Sequence, residues 1–82
     1  MSSVAVETAA RATEAKVTDH ELILRLVDGR TLSVPLAWFP RLLHASTEQR
    51  AAIRIIGDGA YLHWPDADED LSVAGLLRGS RG

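Results

Sequence analysis

The chain contains no cysteine, which excludes disulfides, thiol chemistry and cysteine-ligated zinc and fits a reducing, cytoplasmic setting. Aromatic bulk is scarce: two tryptophans, one phenylalanine and one tyrosine in 82 residues. There is no surplus of basic charge. Nine Lys and Arg against eleven Asp and Glu leave a formal net charge of −2, so nothing draws the chain generally to phosphate backbones or anionic membranes. No apolar run approaches the roughly 20 residues that span a bilayer. The opening "MSSVAVETAARATEA" has no basic start and is interrupted by Glu7, so it does not read as a signal peptide. One small domain is expected, because two independent cores do not fit this length.

The Ala, Ser and Thr content of residues 1–12 predicts a flexible arm, followed by a single domain over 13–79 and a flexible tail over 80–82. Val17 is expected to begin a short first strand, with a turn at Asp19 and His20. Leu22, Leu24 and Leu26 then alternate with Ile23, Arg25 and Val27 at strand period. A two-residue loop at Asp28 and Gly29 would set Leu24 opposite Ser33 and spoil the apolar face. A three-residue loop, Val27 to Gly29, instead pairs Leu26 with Arg30, Leu24 with Leu32 and Leu22 with Val34. In the second hairpin the same test selects a two-residue turn at Asp58 and Gly59. It pairs Ile55 with Leu62 and Ile53 with Trp64 on one face, Arg54 with His63 and Ile56 with Tyr61 on the other. No helix follows Gly57-Asp58-Gly59, so that string is not a phosphate loop.

Helices are expected between the hairpins and at the end. Pro35 ends the third strand or marks an edge. Pro40 suits a first helical position, giving a helix over about 40–44. Ser46 with Gln49 three residues on forms a capping box for a helix over 47–51. Ser72 caps a last helix that runs through Leu77 and stops at Gly79. The fold class is therefore α+β: two β-hairpins plus a short leading strand, with short helices packed on one face.

The strings "DGRTLSVPLAWFPRLL" and "LHWPDADEDLSVAGLL", with the intervening "STEQRAAIRIIGDGAY", resemble the domain-of-unknown-function family 2442. The resemblance runs from about Lys16 to Gly79. It implies a small bacterial or phage-linked α+β domain with no established catalytic activity. Related members sit beside a small partner protein in gene pairs that look like toxin–antitoxin pairs. Some carry an added helix-turn-helix; this chain has none. Thr47-Glu48 stands where the family usually reads Thr-Pro-Glu, and Ile53 where an aromatic is common.

Candidate surfaces are few. Phe39 is expected in the core and Trp38, its neighbour at a strand-to-helix corner, partly outside it. Trp38 beside Arg41 would make an interface anchor. Trp64 either joins them on one surface or caps the core. Asp66, Asp68 and Asp70 alternate as calcium ligands do, but Leu71 and Leu77 occupy the positions where an EF-hand loop needs Gly and Glu. The acidic stretch is either a solvated loop that favours the positive end of the next helix or a docking surface for a basic partner. His20, His44 and His63 have no metal spacing and are expected half-exposed, with His63 and Arg54 able to line a groove. No Gly-x-Ser-x-Gly elbow exists.

The expected function is thus a non-enzymatic, cytoplasmic protein-binding module without cofactor or metal. By family analogy it is antitoxin-like, pairing with a small protein encoded nearby. Its partner surface is expected at Trp38, Arg41, Trp64, Asp66, Asp68 and Asp70. Free sheet edges make a homodimer or heteromer an expectation as well. The alternative is a dimeric nucleic-acid-binding transcriptional regulator using Arg25, Arg30 and Arg41, which the acidic balance disfavours.

Overall fold

The computed structural model describes residues 10–79. Two three-stranded antiparallel sheets, each a meander, enclose one apolar core. The first contains β1 (Ala12–Val17), β2 (Glu21–Leu26) and β3 (Thr31–Pro35); the second contains β4 (Arg54–Ile56), β5 (Tyr61–Trp64) and β6 (Glu69–Ser72). Between the sheets in sequence lie a 3₁₀ turn (Leu36–Trp38), α1 (Pro40–Leu43) and α2 (Thr47–Ala51); α3 (Val73–Leu77) closes the fold. The architecture is α+β.

Both hairpin registers follow the apolar face. Leu24 stands opposite Leu32 and Leu22 opposite Val34. The Leu26 N–H donates to the Arg30 carbonyl at 2.8 Å, closing the three-residue loop, with Gly29 left-handed at φ +93°. In that loop the Arg30 N–H, reinforced by its guanidinium, holds the Asp28 carboxyl below its ordinary pKa. A depressed carboxylate stabilises the turn at neutral pH, and that contribution fades as pH falls through the lowered value. In the second hairpin Ile55 opposes Leu62, Arg54 opposes His63 and Ile56 opposes Tyr61. The Ala60 N–H returns to the Gly57 carbonyl at 3.0 Å around Asp58 and Gly59. Ile55 shares the Leu62 face yet remains 38% exposed, on β4 at the edge of its sheet.

Two strands depart from expectation. Val17 ends β1 rather than beginning it, and Ala10 and Ala12 are already buried, so the packed domain reaches back into the expected arm. The rest of that arm, residues 1–9, and the tail, 80–82, lie outside the described residues. β1 conceals its period. A bulge between Ala12 and Glu14 re-phases the strand, so Ala12, Ala15 and Val17 meet Leu26, Leu24 and Leu22 at uneven spacing. The acidic stretch is likewise no simple loop. Residues 65–68 turn the chain, with Asp68 in the left-handed region at φ +52°, and Glu69 starts β6. Asp and Glu are poor strand formers, but burial of Leu71 against Leu62 decides the outcome.

The helix signals hold. Pro40 occupies the first turn of α1, and the Ser46–Gln49 capping box starts α2 in both directions. The Ser72 hydroxyl accepts from the Gly75 N–H at 2.9 Å to start α3. Leu22, Leu24, Leu36, Phe39, Leu42, Leu62, Trp64 and Val73 are fully buried. Leu24→Ala is expected to cost about 2–5 kcal/mol, which lowers the midpoint of a thermal melt by at least about 8 °C. A shift of about one degree would contradict this burial.

Candidate functional site

The corner after β3 sends its two adjacent aromatics opposite ways. The 3₁₀ turn ends at Trp38, and Phe39 then adopts φ −127° and ψ 86° before α1 begins. Pro40 enforces that extended step, since its ring excludes a helical residue before it. The step turns Phe39 fully into the core. Trp38 packs one side against the same core and keeps the rest at the surface.

Arg41, on the first turn of α1, reaches across to the acidic turn. Its Nη1 donates to the Asp68 carbonyl at 2.6 Å and lies 3.7 Å from the Asp68 carboxylate. The Asp68 side chain is 94% exposed, so the ion pair adds little stability; the charge-assisted bond to the carbonyl fixes the geometry. From the other side, Gln49 Nε2 donates to the Asp66 carbonyl at 3.4 Å, while its Oε1 serves the capping box. The acidic turn is thereby held to α1 and α2 by its backbone, and the Asp66 and Asp68 carboxylates are left outward.

Of the expected surface, Arg41 and the acidic turn of Asp66 and Asp68 come together, while Trp38, partly buried, packs against the core one turn before α1. Trp64 does not join them. It is fully buried, and its Nε1 donates to the Arg50 carbonyl at 3.1 Å, because β5 directs it to the same face as Leu62. Asp70 leaves as well. It stands opposite His63 on the outer face of the second sheet, where its carboxylate contacts His63 Nδ1. His63 is therefore engaged rather than open to a groove. Of the three arginines considered for nucleic acid, Arg30 is paired with Asp28 and Arg41 with Asp68, and Arg25 stands opposite Glu14 in the register of the first sheet. Among the described residues no group of three His, Asp or Glu side chains could hold a metal ion. No helix among them is long and apolar enough to cross a membrane.

Arg50 carries a role that the sequence did not reveal. Its Nε and Nη2 donate to the carbonyls of Leu42 and Leu43 at 2.8 and 2.6 Å, capping the end of α1. No local signal announces this bond, because the acceptors converge only after α1 and α2 have packed.

A family model described as a protein of unknown function, DUF2442, matches residues 12–82. A protein of unknown function from Rhodospirillum rubrum, known from a crystal structure, is similar at 36% identity. The likeness covers 88% of this chain and 89% of that one, with a TM-score of 0.78. An uncharacterized protein from Chromobacterium violaceum, solved in solution by NMR, shares the fold at 22% identity and a TM-score of 0.77, covering 98% of this chain and 75% of that one. No curated protein matches.

Proposed function

We propose that this chain, which belongs to the DUF2442 family, is a non-enzymatic protein-binding module of the cytoplasm, acting as an antitoxin-like partner of a small basic protein encoded nearby. The observation that carries this reading is the Arg41–Asp68 bond, which holds the acidic turn against α1, the helix that follows the partly exposed Trp38. An aromatic centre with a charged rim is the ordinary anatomy of an interface. Trp and Arg dominate interface energetics, while exposed carboxylates steer encounter with a partner of opposite sign. The absence of cysteine supports the cytoplasmic setting.

Co-expression with the product of the adjacent gene, followed by purification, tests the reading: the two proteins are expected to co-elute in a salt-resistant complex. Elution of this chain alone would count against it. In the complex, Asp66→Asn with Asp68→Asn is expected to slow association about 3- to 10-fold at low salt, with little change in dissociation. A purely dissociative effect would show that these carboxylates sit inside the contact rather than at its rim. Trp38→Ala is expected to weaken the complex by at least about 2 kcal/mol, roughly 30-fold. An unchanged affinity in a folded variant would remove Trp38 from the interface.

A further inference from the structure

We propose that the concavity between Arg11 and Arg78, on the outer side of the second sheet, docks an acidic segment of a partner protein in which carboxylates alternate with apolar side chains. The concavity has a volume of about 260 Å³ and shares no residue with the Trp38 surface, so it stands independently of that reading. Its floor is made of small residues, Ala10, Ala60 and Ala74, which let another backbone approach closely. Tyr61 forms one wall and is 52% exposed. Its ring lies over Gly57, where an added Cβ would come within 2.9 Å of Tyr61 Cδ2. Directly opposite Tyr61 on β4 is Ile56, 46% exposed, so the apolar surface continues past the rim.

The two arginines give the site its sign. Three other arginines serve the fold: Arg30 binds Asp28, Arg41 binds Asp68, and Arg50 binds the end of α1, whereas Arg25 and Arg54 lie outside this concavity. The Arg11 and Arg78 guanidinium groups have no hydrogen-bond or ion-pair partner among the described residues. A guanidinium offers a planar fork that matches a carboxylate in two parallel bonds. Two of them lining the same concavity as the alanines and Tyr61 fit an extended acidic segment whose apolar side chains meet the small residues while its carboxylates reach the guanidinium groups. A nucleic acid fits less well. Its phosphates need a continuous basic track, whereas Asp70 lies on this same face of β6 and the chain carries a net charge of −2.

The test uses the full chain labelled with ¹⁵N, titrated with an acetylated and amidated peptide of alternating Glu and Val. The amide signals of Arg11, Tyr61, Ala74 and Arg78 are expected to shift in a saturable way. Arg11→Gln and Arg78→Gln are each expected to raise Kd ~10-fold with melting unchanged. Lys16→Gln, the same charge change on the first sheet, should leave Kd within about 2-fold. The proposal is overturned by the absence of saturable shifts, by equal binding of the Gln-and-Val peptide, or by an equal loss in Lys16→Gln. Tighter binding of single-stranded DNA at the same signals overturns it too. So does tighter peptide binding after removal of residues 1–9, which would assign the concavity to the chain's own N-terminal segment.

Discussion

Trp64→Ala is expected to lower stability by about 3–5 kcal/mol, among the largest losses of any single substitution in this chain. Trp64 heads the fully buried side chains by volume, and its removal would leave a large void between β5 and α2. It would also break the bond from its Nε1 to the Arg50 carbonyl. Stability of roughly 0.05–0.15 kcal/mol per residue gives 82 residues about 4–12 kcal/mol in total, so the loss approaches the lower bound. Trp64→Phe keeps much of the volume and loses the hydrogen bond, and about 1–2 kcal/mol is expected. Urea melts followed by circular dichroism measure both. A Trp64→Ala chain that melts within a few degrees of the parent would return this ring to the surface.

Gly59→Ala ranks with it. Gly59 has φ +95°, and a Cβ placed there would lie 2.6 Å from the Ala12 carbonyl oxygen and 3.1 Å from the Ala12 nitrogen. Backbone cannot swing aside as a flexible side chain does. The turn of the second hairpin is therefore pressed against the start of β1, joining the two sheets at a point where only Gly fits. Conformational strain of about 1–3 kcal/mol adds to overpacking of about 1–3 kcal/mol, for an expected loss of about 2–6 kcal/mol. Gly29→Ala separates the two terms. Gly29 has φ +93° with nothing within 4 Å of an added Cβ, so only the strain is expected there. Equal losses in the two variants would show that the contact with Ala12 carries no weight.

The hairpins were legible because only one register of each placed the aliphatics together. Leu24 opposite Leu32 and Ile55 opposite Leu62 follow from that single requirement. The capping box at Ser46 was legible because its two partners are three residues apart. β1 was not, since alanines give little hydrophobic contrast and the bulge breaks the period of two. β6 was hidden by its acidic residues, which form a strand only because Leu71 needs the Leu62 side of the core. Trp38 at the surface was legible, but Trp64, expected on the partner surface, is buried, for a related reason. Each lies at the exit of a strand, and the choice between core and surface depends on which helix packs beside it. Arg41 reads from the sequence as a surface residue, but its bond to Asp68 spans 27 positions and arises only when the acidic turn folds back on α1.

The most direct measurement is acrylamide quenching of Trp38 fluorescence in a Trp64→Phe chain, alone and with the adjacent gene's product. Trp38 is then the sole tryptophan of the chain, half-buried in the free protein. Partial quenching is expected in the free chain, with marked protection and a blue-shifted emission in the complex. Equal quenching in a complex whose formation is verified by co-elution would contradict the proposed surface, because an interface centre cannot stay open to solvent.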